Sequence, residues 1–412
     1  MVISLPSMHI GDSSLARFFV STPLGYEQSA LEEMKQCWNL LLGKDAKPQQ
    51  MPFPEVQIFS GGFEFEAELF TAVQLNFFLK TANRILFRMA SFKTKDLPKF
   101  YQKFKSLPWI EYLPHGHVEW EVAAQKSRLN NEKRLQESAE KALQEIFANA
   151  AAAAADAEPC ARIFIRMEDD QCTVSLDTTG EHLHKRGWSI LKGEAPLRET
   201  IAVFLLKTLI GTATDEQLAQ IHLYDPMMGS GTFLTEARTL RSPQFARAFA
   251  FQKWKKAPKL FLSSSFALNY ALPNSLLFKS FLGTDLNEKM ILAAEQNFTE
   301  VEKQLHAYER KNFVKADVKI WQQNSLQGEP LPQQPLWMIV NPPYGERLAN
   351  DELGGITALA QGFCAKYTPE KLGILFPEKS PLKAAPKGYR IEKEVKINNG
   401  GLRCLFTLLT RL

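Results

Sequence analysis

Ile221-His-Leu-Tyr-Asp-Pro-Met-Met-Gly-Ser-Gly-Thr-Phe-Leu-Thr-Glu236 decides the fold. A short apolar run ends in an acid, Asp225, turns through Gly-x-Gly and continues as a helical pattern. Gly229 and Gly231 let backbone approach a ligand closely. The helix beginning near Thr232 offers free N–H groups and a positive dipole end, a setting that suits a carboxylate. The third glycine of a dinucleotide fingerprint is replaced by Leu234, which counts against NAD. Phe281-Leu-Gly-Thr-Asp-Leu-Asn287 reads as a second strand ending in an acid, with Asp285 placed to accept ribose hydroxyls. Lys315-Ala-Asp317 reads as the end of a third, with Asp317 a candidate for an adenine amino group. Any one such Asp alone is better read as a helix cap or a solvated strand end. Three in order describe a row of strand ends facing one ligand.

A fourth strand end follows in Trp337-Met-Ile-Val-Asn-Pro-Pro-Tyr-Gly-Glu-Arg-Leu348. Four apolar residues running straight into Asn341-Pro342-Pro343-Tyr344 mark the carboxyl end of a buried parallel strand, where open α/β sheets hold their ligands. The residue types suit methylation of an exocyclic amine, whose lone pair is delocalised into the ring until acceptors gather its two N–H bonds. Asn341 Oδ1 and the Pro342 carbonyl, aimed by a chain of fixed φ, are those acceptors in this reading. Tyr344 then stacks on the base. The plainer reading of the segment is an ordinary Asn-Pro turn closing a strand.

Together these segments resemble the successive motifs of class I S-adenosylmethionine-dependent methyltransferases. More closely, they resemble the THUMP-domain RNA guanine-N2 methyltransferases, including the bacterial large-subunit rRNA enzyme. Similarity continues through Ser175-Leu-Asp-Thr-Thr-Gly-Glu-His-Leu-His-Lys-Arg-Gly-Trp188, Ala195-Pro-Leu-Arg-Glu-Thr200 and Asn399-Gly-Gly-Leu-Arg403. The resemblance implies S-adenosyl-L-methionine as methyl donor, held by Asp225, Met227, Gly229, Ser230, Gly231, Thr232, Asp285, Leu286, Asp317 and Asn341. It lays Arg198, Glu199 and Thr200 over the donor; simple capping of the helix Glu199 to Leu209 is the plainer reading. It makes Asn341, Pro342 and Tyr344 the catalytic group and calls for no metal, since a sulfonium is already an activated leaving group. Three departures stand out. Met228 replaces a cysteine common in the family, residues 243–280 form an insertion-like stretch, and the second methyltransferase domain fused to some relatives is not expected.

Composition agrees. At 412 residues the chain suggests two or three domains, and 45% hydrophobic with 23% charged residues is ordinary for a globular protein. No run suits a bilayer and no signal peptide is recognisable, so the cytoplasm is expected. Cys37, Cys160, Cys172, Cys364 and Cys404 lack metal or disulfide spacing and read as reduced core thiols. His182-Leu-His184 reads as an exposed strand rather than a metal pair. A net charge of +4 predicts no partner. Its distribution is more telling: Lys93, Lys95, Lys99, Lys103 and Lys105 surround a single acid, Asp96, and interleave with aromatics, while Lys126, Arg128, Lys133 and Arg134 crowd a strand-to-helix junction. A lysine run is ordinarily a solvated helix face. The resemblance places these residues in the THUMP region, whose family role is RNA binding.

The organisation expected is α/β: a ferredoxin-like domain over residues 1–70, a THUMP α+β domain over 71–180, and a Rossmann-like class I methyltransferase domain over 181–412. Ala150 to Ala155 is low complexity, read as a frayed helix end. Phe249-Ala-Phe-Gln-Lys-Trp-Lys-Lys256 either binds RNA or packs across the sheet. The expected reaction is methyl transfer to guanine N2 in structured RNA, 23S rRNA first and tRNA second. Another amino methyltransferase, acting on DNA adenine or a protein glutamine, and a non-catalytic RNA-binding or ribosome-assembly factor are the rivals.

Overall fold

The computed structural model describes residues 15–48, 51–150, 158–188, 191, 197–263, 265–272, 275–309, 312–331, 333–343 and 355–412. The chain forms two compact units: residues 1–183 with 247–271, and residues 184–246 with 272–412. Each is built on a seven-stranded sheet.

In the first unit the strands are β1 (Ala16–Ser21), β2 (Val56–Phe59), β3 (Gly62–Ala67), β4 (Arg84–Lys93), β5 (Glu119–Gln125), β6 (Arg162–Glu168) and β7 (Gln171–Asp177). Their order is β2-β3-β1-β4-β7-β6-β5. All neighbours are antiparallel except β5 and β6. Alternation makes β1 one-sided: Phe18 and Val20 are buried while Arg17 and Phe19 are half-exposed. Strand β4 pairs with β1 on one side and β7 on the other, so one sheet runs through the whole unit. The helix Glu132–Ile146 starts where Asn131 accepts the Arg134 N–H, and buries Leu135, Ala139, Ala142 and Leu143 at helical spacing.

The segment Arg247–Ala271 belongs to this first unit, and it settles the reading of Phe249–Lys256 as packing. Phe249, Phe251, Trp254, Phe261 and Phe266 are buried. Phe77, on the helix Leu69–Phe78, lies within 4.9–6.0 Å, centroid to centroid, of four of those rings. Trp254 meets Tyr112 edge-on at 5.6 Å. The interleaved Lys253, Lys255 and Lys256 point to solvent.

The second unit carries β8 (His222–Asp225), β9 (Ser280–Asp285), β10 (Val318–Gln322), β11 (Leu336–Val340), β12 (Lys371–Pro377), β13 (Tyr389–Asn399) and β14 (Leu402–Arg411) in the order β10-β9-β8-β11-β12-β14-β13. The first five are mutually parallel; β14 runs antiparallel between β12 and β13. This is the Rossmann-like α/β sheet closed by a hairpin that the motifs led us to expect. Leu336–Val340 is buried throughout, as a central parallel strand covered on both faces must be. Gly283 of β9 explains why Leu234 is tolerated where a third glycine was missed. A Cβ on Gly283 would stand 2.4 Å from Met228 Sδ and 2.7 Å from Leu234, so the room for close helix–strand packing comes from the neighbouring strand.

Candidate active site

The order of this sheet reverses between β8 and β11: the chain proceeds through β9 and β10 on one side and through β12 on the other. Open α/β sheets bind ligands beyond the carboxyl ends of their strands at such a switch point. Strand β8 ends there at Asp225, and β11, beside it in parallel register, ends at Val340, immediately before Asn341.

The turn after β8 is held from several sides. Met227 N–H donates to Asp225 Oδ1 at 3.1 Å and Met228 N–H to the Thr284 carbonyl at 3.0 Å. Gly229 N–H donates to Asp285 Oδ2 at 2.9 Å, while Asp285 Oδ1 accepts the Asn287 N–H at 2.9 Å. Asp285 thereby ties the end of β9 to the glycine turn. Gly229 and Gly231 take φ of +54° and +81°, where glycine is favoured. A Cβ on Gly231 would come 3.1 Å from Ala294 Cβ, so that glycine seats the turn against the helix Glu288–Glu309. A Cβ on Gly229 would meet nothing within 4 Å, and this side of the turn is open. Beneath lies a polar cluster that sequence reading missed. The Thr284 hydroxyl contacts those of Tyr224 at 2.8 Å and Ser325 at 3.0 Å, and donates to the Pro226 carbonyl at 3.1 Å. A threonine between Gly283 and Asp285 in an otherwise apolar strand was the available signal.

Burial pushes the Asp225 carboxyl well above the usual carboxylate range; the nearby Asp285 charge adds to this, and the Met227 N–H opposes it. Ser230 is buried, Met227 and Thr232 are half-buried, and Leu286 is 65% exposed beyond the end of β9. Arg198 is the exposed N-cap of the helix Glu199–Ile210, which packs on the helix Thr232–Arg238; Glu199 and Thr200 in its first turn are buried. Asn341 is half-buried and Pro342 buried. Tyr344 lies outside the described residues.

Asp317 requires correction. Strand β10 begins at Val318, which pairs with Phe281, and the Asp317 carbonyl accepts the Phe281 N–H. Asp317 therefore stands at the amino end of its strand, on the opposite edge of the sheet from Asp285. The carboxyl end is Gln322, level with Asp285, followed by Gln323 and Asn324. His182 and His184 are likewise not on a strand: His184 lies in a turn after β7 and His182 just before it.

Among the basic residues of the first unit, Lys95 pairs with Asp170 at 3.6 Å, and the other oxygen of that carboxylate accepts the Arg128 N–H at 2.8 Å. Asp170 thus joins two stretches far apart in sequence. Lys133 faces Glu137 at 3.9 Å, and Lys93 contributes its carbonyl to Lys103 Nζ at 3.1 Å. Lys126 is exposed at a φ of +48°. Arg128, Asn130 and Arg134 rim a crevice of about 260 Å³ floored by Leu97, Leu129 and Leu135.

Comparison with known proteins gives a match over residues 186–407, more than half of the chain, to the family described as UPF0020, RMKL-like, methyltransferase domain. The chain belongs to this family. Relatives of this RMKL-like methyltransferase include the ribosomal RNA large subunit methyltransferase K/L of Marinomonas sp. (strain MWYL1), 28% identical over 341 residues that cover 79% of this chain and 45% of that protein. A Synechocystis sp. protein described as a candidate RNA methyltransferase is 26% identical over 97% of this chain and 98% of its own length. Among solved structures, SMU.472, a candidate methyltransferase complexed with SAH, matches with a TM-score of 0.70 and 25% identity over 97% of this chain and 98% of that one. The chain spans about half the length of the K/L relatives it matches.

Proposed function

We propose that this chain transfers a methyl group from S-adenosylmethionine to the exocyclic N2 of guanine in structured RNA, with 23S rRNA as the first substrate and tRNA as the second. The observation that carries this reading is the meeting of the Asp225–Thr232 turn and Asn341-Pro342 at one switch point. The residues of the turn fit the donor. The open face at Gly229 leaves space for a ligand against backbone, and Asp225 and Asp285 supply carboxylates for its amino and hydroxyl groups. The donor brings a methyl group on a cationic sulfur that departs as a neutral thioether. The protein's part is proximity and alignment. Asn341 Oδ1 and the Pro342 carbonyl accept the two amine N–H bonds, restoring a lone pair on nitrogen; as the N–CH3 bond forms and the S–CH3 bond breaks, one of those N–H protons is lost to water. RNA as substrate class is supported by the names of the relatives and by the basic residues Lys95, Lys126, Arg128 and Arg134 of the first unit. The target base leaves its stack to reach Asn341, at a cost of a few kcal/mol that contacts elsewhere on the RNA offset.

The test is methyl incorporation into rRNA and tRNA from cells lacking the gene, followed by nuclease digestion and mass spectrometry. N2-methylguanosine is expected. N6-methyladenosine would overturn the guanine assignment, and a protein that binds donor yet methylates no RNA would favour the assembly-factor rival.

A further inference from the structure

We infer that Asn297 is a positioning residue that couples the Gly229–Gly231 turn to the segment leading in from the first unit. This inference rests on the reading of that turn as the donor site.

Asn297 is 1% exposed, in the middle of the helix Glu288–Glu309. Its carboxamide is spread over two stretches of backbone. Nδ2 donates to the Ser230 carbonyl at 3.0 Å, inside the glycine turn, and to the Leu191 carbonyl at 2.9 Å; Oδ1 accepts the Leu191 N–H at 3.1 Å. An amide that both donates to and accepts from the backbone of one residue imitates a strand partner, and Leu191 follows residues anchored in the same unit. Arg186 Nε is 3.4 Å from Oε1 of Glu236, which stands on the helix that follows the turn, and both side chains are fully buried. Trp188 packs on Val301 and Leu305, one and two turns beyond Asn297. The lead-in segment starts at the boundary of the units, His184. It is therefore fastened to the donor turn's own helix at Glu236 and, through Asn297, to the Ser230 carbonyl.

A buried amide held in this way has two settings, satisfied or costly, because the low surrounding polarity penalises any group left unpaired. Movement of Ser230 on ligand binding thus changes the free energy of order at Leu191, and by linkage order at Leu191 changes affinity for the ligand. Asn297 touches neither the sulfonium nor the base in this arrangement. Its effect is on affinity, not on the chemical step.

The probe is S-adenosylhomocysteine binding to the full chain, by titration calorimetry and by hydrogen exchange. In the wild type, the ligand is expected to protect amides at 228–231 and also at 186–188 and 191. Asn297→Asp keeps the size and the acceptor for Leu191 N–H but turns both donor contacts into oxygen–oxygen repulsions. It should weaken binding at least tenfold, raise KM for the donor with kcat within about twofold, and confine protection to the turn. Leu191→Pro, at a 40% exposed position, deletes the N–H that Asn297 Oδ1 accepts without touching the helix, and should weaken the coupling of the two segments. Wild-type affinity and unchanged spread of protection in both folded variants would overturn the proposal. A wild type that does not bind the ligand would instead sink the donor-site reading beneath it.

Discussion

Asp225 is buried at a position where a charge is expensive, and its carboxyl titrates well above the ordinary range. A raised carboxyl favours folding below the unfolded value of about 4 and loses that contribution as pH rises through the folded value. Asp225→Asn removes the titration, so the mutant should melt above the wild type at neutral pH, with the difference closing toward about pH 4. It should also lose donor affinity, the usual exchange between stability and a functional site. A mutant less stable than wild type at neutral pH would show that Asp225 is needed ionised in the fold. Asn341→Ala tests the other side of the crevice. It should keep donor and RNA binding while methyl transfer falls by at least ~10²–10³, as for removal of one preorganised polar group. Asn341→Asp retains acceptors for both N–H bonds and should keep partial activity; equal loss in the two variants would show that something other than acceptor geometry fails.

Elements were legible in the sequence where burial was two-sided. Strands β9 and β11 read as apolar runs ending in Asp285 and Asn341 because both of their faces are covered. Strand β10 is an edge strand whose Val-Lys-Ile-Trp-Gln exposes two residues, so no apolar run announced it, and the acid preceding it was taken for its end. Gly283 was quoted in a motif without its role, which depends on Met228 and Leu234 arriving from another element. Gly283→Ala therefore drives a methyl into two side chains and should cost ~1–3 kcal/mol, read as a lowered denaturation midpoint; an unchanged midpoint would mean that the helix Thr232–Arg238 shifts freely. At the β5–helix junction, replacing Lys126 and Arg128 together should reduce the slope of log affinity against log salt by roughly 0.7–0.9 per lost phosphate contact. Donor binding should be spared, and an unaltered RNA slope would return those charges to solvent.

At the scale of the molecule, what sequence reading left open was where Arg247–Ala271 packs. Its aromatics fill the first unit although they are numbered within the span of the second. Non-local packing of that kind leaves no local pattern beyond a wealth of Phe and Trp. Five buried aromatic residues at ~1.5–3 kcal/mol each amount to about 10 kcal/mol, comparable to the whole stability of a domain. A fragment of residues 15–183 should therefore lack cooperative melting and near-ultraviolet dichroism, and joining residues 247–271 to it through a flexible linker should restore both. Cooperative melting of the short fragment would show the aromatic segment to be an accessory.

The same connectivity sets a schedule for the nascent chain. Vectorial synthesis delivers β1 to β7 first, but the rings that cover Phe77 and Tyr112 are made only after the ribosome has passed residue 266. Residues 184–271 take roughly 4–18 s at about 5–20 residues per second. For that interval the helix-borne rings of Phe77 and Tyr112 lack those partners, while β8 and its glycine turn are made before β9. Slowing translation between residues 184 and 271 should therefore lower the yield of folded protein more than the same delay placed after residue 271.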